Sequence, residues 1–355
     1  MGGIETMIID MIRLLPTEQF QAEVAVFEGG GSLERMLEEN GTPVHRLGKR
    51  EGIDVGLFWR LRALIRNRKI DVVHSHNYSA WLYCGVALRG LSGVRHIHTE
   101  HSGVTQSRIR YAVERALSKV TCSVVAVSNH VADVLTKQIG IESSRIELIL
   151  NGVNTKRFVR NADSRRRARQ ALGLGNSLVV IGIVARLAPI KNHAHLLRAI
   201  AALPGLTENV RLLIVGDGSE RKKLEEMALE LGIDTRTLFV GERRDTEDLL
   251  NAMDIYALSS TSEGMNLTLL EAMSSSLPVV ATAVGGNTEI VLHDVTGFLV
   301  PPDDVTKFSD AIKRLLNDEP LRTALGEAGR ASVDKRFNEH AMIQQYCALY
   351  RNEAR

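Results

Sequence analysis

The sequence predicts an α/β protein made of two doubly wound, Rossmann-like domains, and two observations carry that prediction. Short runs rich in β-branched residues alternate with amphipathic stretches along the whole chain, the pattern of parallel strands joined by helical crossovers. A length of 355 residues also exceeds what one hydrophobic core usually serves, so two domains are expected. With 44% hydrophobic and 24% charged residues, the composition is that of a soluble globular chain.

Taken in order, the pair Gly2-Gly3 stands at the entrance of a helix expected from Ile4 to Leu15, where free backbone N–H groups can meet a phosphate or an acceptor. Strands are expected over Ala22–Phe27, Asp71–His76, His96–His101, Val124–Ser128 and Ile146–Leu150, with amphipathic segments between them. Turn chemistry at Asn151-Gly152, followed by the basic helical segment Asp163–Ala171, marks the join between domains. The second half repeats the scheme with strands over Leu178–Arg186, Arg211–Asp217, Leu238–Gly241, Ile255–Ser260, Pro278–Ala283 and Gly297–Val300. After Asp303 the pattern is helical, with Pro320 opening one helix and a last one running from about Asn338. The domains are therefore read as 1–155, 156–337 and a final helix over 338–355.

Composition excludes several classes. A formal net charge of +2 gives no broad basic field, so nucleic acid is not expected as a partner. The three cysteines, Cys84, Cys122 and Cys347, are far apart, which points to neither disulfides nor a thiolate metal site and suits a reducing cytoplasm. No apolar run approaches the length that crosses a bilayer. The segment Leu57–Lys69 is an amphipathic helix with a basic face. Its functional reading is a weak peripheral contact with anionic lipid at the inner membrane face, and its plain reading, the favoured one, is a crossover helix with its arginines in water.

The chemistry concentrates at predicted strand ends, where doubly wound sheets bind ligands, and two such sheets would face a central cleft. Glu263 and Glu271 bracket a helix start capped by Asn266. One acid lies in the loop ahead and the other in the second turn, with free N–H groups between them for a phosphate. Two glutamates at this spacing also arise by chance. Arg186 and Lys191 follow the first strand of the second half and suit an anionic leaving group, although a solvated surface pair would look the same. The run Val215-Gly216-Asp217-Gly218 lacks the third glycine of a dinucleotide fingerprint, Arg221 standing in its place, so its glycines are read as structural. Gly285-Gly286 ends another strand where backbone can come close to the ligand.

Five of the 11 histidines, His74, His76, His96, His98 and His101, crowd between residues 74 and 101. Residues two apart share a strand face, yet no carboxylate completes a convincing ligand set, so no metal is expected. His76 and His101 fall at strand ends, and His101 is the sharper candidate for orienting a sugar or steadying a leaving group.

Together, Gly2-Gly3-Ile4-Glu5, His101, Arg186 with Lys191, Val215-Gly-Asp-Gly218, Ser262-Glu-Gly, Leu270-Glu-Ala-Met, Pro278-Val-Val-Ala-Thr, Gly285-Gly286 and Thr296-Gly-Phe-Leu-Val-Pro resemble the family 4 retaining glycosyltransferases of the GT-B fold, over nearly the whole chain. The resemblance implies transfer of a sugar from a nucleotide-diphosphate sugar to a hydroxyl acceptor, including a lipid-linked one, in cell-surface polysaccharide or glycolipid synthesis. It implies retained configuration and no metal or other cofactor. It places Arg186 and Lys191 on the donor diphosphate, Glu263 on the donor sugar, backbone of Gly264, Met265, Asn266 and Leu267 on the donor, Glu271 on the ribose, Gly3 at the donor phosphates and His101 in the active site. It also implies that the last helix crosses back onto the first domain.

One departure stands out. In that family a strand precedes the glycine pair, whereas this sequence begins at Met1, so the first strand of domain one is expected to be missing and its neighbours' edges exposed. A start upstream of Met1 is the favoured explanation, because the rest of the domain keeps its pattern. Competing readings are a catalytically silent subunit that partners another transferase, and a GT-B epimerase or phosphorylase on the same scaffold.

Overall fold

The computed structural model describes residues 3–29, 32–102, 107–203 and 208–353. Gly2, part of the glycine pair singled out above, lies outside them. The chain divides into two compact units, one of Met1–Leu150 with His340–Arg355 and one of Asn151–Glu339. The joins fall at 150/151 and 339/340, against the 155/156 and 337/338 read from the sequence.

The first unit runs α1 (Gly3–Leu14), β1 (Val24–Val26), α2 (Ser32–Glu39), β2 (Val44–Arg46), α3 (Val55–Asn67), β3 (Val72–His76), α4 (Asn77–Ala87), β4 (Arg95–Glu100), α5 (Arg108–Ser118), β5 (Ser123–Ala126), α6 (Asn129–Asp133) and β6 (Ile146–Leu148). Its strands form two parallel sheets, β1-β2 and β3-β4-β5-β6, so β1 and β3 each keep one edge without a strand partner among the described residues. Val44–Arg46 was not expected as a strand. At three residues, with a half-buried pattern, it is too short to show an alternation. The inward stripe of α3, Leu57, Leu61 and Ile65, packs with Leu47, Tyr83, Cys84 and Ala87 into one apolar cluster.

The second unit runs α7 (Ala162–Ala171), β7 (Val179–Val184), α8 (His193–Ala201), β8 (Val210–Val215), α9 (Arg221–Glu230), β9 (Thr237–Phe239), α10 (Thr246–Ala252), β10 (Ile255–Leu258), α11 (Leu267–Ser274), β11 (Val279–Thr282), α12 (Asn287–Ile290), β12 (Gly297–Val300), α13 (Val305–Asn317) and α14 (Glu319–Arg336). All six strands are parallel in the order β12-β11-β10-β7-β8-β9. Chain order therefore reverses direction on either side of β7, which makes the crevice between the carboxyl ends of β7 and β10 the switch point where such sheets bind ligands. Every strand expected in this half is present, with no end displaced by more than two residues: β8 and β9 begin one residue earlier than expected, and β12 matches at both ends.

The last helix, α15 (Glu339–Arg351), belongs to the first unit from His340 onward. Arg95 of β4 donates to the carbonyls of Leu349 and Tyr350 at its end, and Phe20 meets Tyr350 edge-on at 5.8 Å. No helix of the described residues is long and apolar enough to cross a membrane.

Candidate active site

Three loops meet at the switch point of the second unit, and each has a local cause. Beyond β7, the loop carrying Arg186 lies flat on the turn after β8: Leu187 N–H donates to the carbonyl of Asp217 at 2.9 Å and Ala185 N–H to that of Val215 at 3.0 Å. This closeness demands glycine. A Cβ on Gly216, which also holds φ at 139°, would overlap the carbonyl of Ala185, and one on Gly218 would overlap that of Leu187. The glycines are structural, as read, and the structure adds what they support. Arg221, in the place of a third glycine, pairs with Asp217 and Glu225.

Lys191 ends a short turn after Pro189 that is fastened to the exit of β10. Ser259 Oγ donates to the carbonyls of Lys191 and Asn192 at 3.1 and 2.9 Å, and Thr261 N–H to that of Ile190 at 2.9 Å. Glu263 then arrives from β10, and its Oε1 accepts from Lys191 Nζ at 2.7 Å and from Asn266 Nδ2 at 2.9 Å. Asn266 caps α11 as expected, its Oδ1 accepting from Leu269 N–H at 2.7 Å. The same Oδ1 takes the Thr268 hydroxyl at 2.9 Å, and Thr268 lies 2.7 Å from the buried phenol of Tyr256. A cation, a carboxylate and a helix start thus form one connected network across residues 72 apart in the chain.

The glycine pair after β11 holds this loop from behind. Gly286 N–H donates to the carbonyl of Glu263 at 3.2 Å, and a Cβ on Gly286 would overlap the carbonyl of Gly264. Met265 is buried, its sulfur accepting from Asn151 N–H, and Leu267 is the half-buried first residue of α11. Glu271 sits in the second turn, half-buried. Burial chiefly, and with it the charges of Glu271 and Glu263, holds the Tyr256 phenol above its ordinary range. Arg186 is exposed, and its guanidinium makes no hydrogen bond or ion pair among the described residues. Lys191 is different: the sequence paired it with Arg186 as a free cation, and the structure holds it on Glu263.

Sequence reasoning missed His193, the first residue of α8. It is buried beside Lys191 and neither ring nitrogen has a hydrogen-bond partner among the described residues; burial, then the Lys191 charge, takes it down to about 4. Its place two residues after Lys191 was the available signal.

In the first unit the five histidines lie along β3 and β4, with His76 ending β3 and His101 just past the end of β4. Ser75 Oγ lies 2.9 Å from His96 Nε2 and 3.0 Å from His98 Nδ1, and His98 stacks on Trp81 at 4.0 Å. Burial opposes ionisation of Glu100, but the His98 imidazole 3.6 Å away and hydrogen bonds from Ser102 outweigh it and bring the carboxyl down to about 2. His76 and His101 meet at 3.0 Å, and burial carries His101 down to about 4. No group of three or more His, Cys, Asp or Glu among the described residues is arranged to hold a metal ion. Gly3 opens α1 and is exposed, apart from these clusters in the sequence.

A parallel sheet whose switch point joins an ammonium, a carboxylate and a capped helix start, on a chain of two parallel α/β units, fits the GT-B class of sugar transferases. The comparisons with known proteins place it more narrowly. The family described as Glycosyl transferases group 1 matches residues 164–332, and Glycosyltransferase Family 4 matches residues 1–157. Among relatives, the D-inositol 3-phosphate glycosyltransferase of Corynebacterium urealyticum is 32% identical over 79% of this chain and 71% of its own length. The UDP-Gal:alpha-D-GlcNAc-diphosphoundecaprenol alpha-1,3-galactosyltransferase of Escherichia coli is 28% identical over 99% of this chain and 94% of its own. Among solved structures, Anabaena HepE in complex with UDP-glucose overlays with a TM-score of 0.90 at 24% identity, covering 99% of this chain and 96% of that one. The chain belongs to glycosyltransferase family 4 and has the GT-B fold.

Proposed function

We propose that this glycosyltransferase is retaining and metal-independent, and moves a hexose from a UDP-linked donor to a hydroxyl of a lipid-linked acceptor. The Lys191–Glu263–Asn266 network at the switch point carries the reading, because it puts positive charge and a helix start where a diphosphate leaves and a carboxylate where sugar hydroxyls bind. Arg186 and Lys191 hold the diphosphate, and the backbone of Gly264 to Leu267 completes the cradle. Glu263 turns to the transferred sugar, Glu271 accepts from the ribose hydroxyls, and His101 orients the sugar. Gly3, at the start of α1, offers its N–H to the donor phosphates. The bond from the anomeric carbon to the leaving phosphate breaks as the acceptor oxygen bonds on the same face, and the acceptor proton passes to the phosphate.

Donor and acceptor follow the Escherichia coli relative, whose name specifies UDP-galactose and a diphosphoundecaprenol-linked sugar, and its match spans nearly both chains. An acceptor of that kind supports the reading of a cytoplasmic protein working at the inner membrane face. A surface suited to that contact exists on the first unit. Ile53, Val55 and Trp59 are 76%, 64% and 69% exposed, and the stretch from Lys49 to Lys69 carries seven cationic and two acidic side chains.

The test is transfer from labelled UDP-galactose to undecaprenyl-diphosphate-linked N-acetylglucosamine, with and without a chelator, and product anomer read by NMR. The α-anomer, at a rate the chelator leaves alone, is expected. Near-normal turnover in both Glu263→Ala and Lys191→Ala removes the proposed site.

A further inference from the structure

We infer that His76 is a positioning residue, which holds the ring of His101 in one orientation and one tautomer through the contact between His76 Nδ1 and His101 Nε2. This rests on the reading above that His101 touches the transferred sugar. The contact is 3.0 Å, with the rings 5.3 Å apart and 25° from parallel. Two neutral imidazoles joined this way share a single bridging proton, so whichever ring donates, the state of the other nitrogen of His101 is settled. What a hydroxyl of the sugar meets at Nδ1 is then set by the tautomer of His76, a donor where His76 donates and an acceptor where it accepts.

His76 is itself held on two sides. The ring of His74 lies against it at 4.1 Å, and both nitrogens of His74 are engaged, Nε2 with Thr99 Oγ1 at 2.7 Å and Nδ1 with the Tyr350 hydroxyl at 2.7 Å. Thr99 also meets the Tyr346 hydroxyl at 3.2 Å, so the last helix braces the row from Tyr350 and Tyr346 through His74 to His76 and on to His101. The backbone adds a second constraint. Immediately after His76, Asn77 adopts φ of 69° as β3 turns into α4. That conformation is uncommon outside glycine and costs energy, which asparagine tolerates best, and it aims the end of β3.

The experiment compares His76→Phe, which keeps a flat ring without nitrogen, with His76→Asn, whose amide stands where Nδ1 was. Long-range 1H–15N spectra of 15N-histidine protein report the tautomer of His101, assigned from the spectrum of His101→Gln. One neutral tautomer is expected in the wild type and a mixture in His76→Phe. With UDP-galactose as donor, His76→Phe is expected to lower kcat about tenfold with KM within about twofold, and His76→Asn to recover most of it. An unchanged tautomer in His76→Phe overturns the inference whether or not UDP-galactose is turned over, so it is separable from failure of the donor assignment. A changed tautomer with unchanged kcat overturns it too, since His101 then has no dependence to transmit.

Discussion

Replacing Lys191 by methionine keeps most of the side-chain volume and strips the charge from Glu263. Stranding a fully enclosed carboxylate costs on the order of 3–5 kcal/mol. Here Glu263 is 8% exposed and Lys191 20%. Asn266 still donates, and water reaches the ammonium side, so we expect about 1–2 kcal/mol. For a unit of this size that lowers the melting temperature by roughly 2–8 °C. Glu263→Gln is expected to cost less than half as much, because its amide oxygen still accepts from Asn266 while the unpaired ammonium turns to solvent. The double variant should then be less damaged than the sum of the singles, by about 1 kcal/mol. Differential scanning calorimetry gives the three stabilities, and titration with UDP-galactose gives affinity, which Lys191→Met should weaken by roughly tenfold or more. Additive losses, or a larger loss from Glu263→Gln, would refute the claim that a buried acid depends on its partner.

Gly286→Ala should push the Glu263–Gly264 loop forward, costing about 1–3 kcal/mol of stability and most donor turnover; wild-type melting with normal turnover would count against the close approach. Trp59→Ser with Arg66→Glu should abolish co-sedimentation with phosphatidylglycerol vesicles while leaving turnover of a water-soluble acceptor intact, and unchanged sedimentation would discard that surface. Burial takes half-buried His101 and buried His193 down to about 4 in the folded state against about 6.5 when unfolded, so unfolding takes up protons between these values. The stability they contribute is complete above about pH 6.5 and falls as pH drops towards 4. His193→Leu should therefore flatten the acid limb of melting temperature against pH, and an identical limb would show that His193 is not held neutral.

Much of the site was legible in sequence because its parts are local. The Asn266 cap, the loop and helix positions of Glu263 and Glu271, and the glycines at strand ends each follow from turn chemistry or from a periodicity of a few residues. The histidines were legible as a cluster, but not the work each does: His96 and His98 face Ser75, whereas His74 faces Thr99 and Tyr350, a division set by strand register. β1 was expected within Ala22–Phe27, but its partner β2 escaped because three residues leave too few positions to show a period of two.

By itself, then, the sequence determined the alternation of strands and helices, the parallel class of the sheets and the residue types at their ends, since hydrophobic periodicity and capping act between neighbours. The tertiary structure alone decided that Lys191 rests on Glu263, that Gly286 backs the Glu263 loop and that Tyr350 reaches His74 across 276 residues. Those contacts depend on which strand lies beside which and in what register. That choice is made by burying whole faces at once, and no short window of sequence contains it.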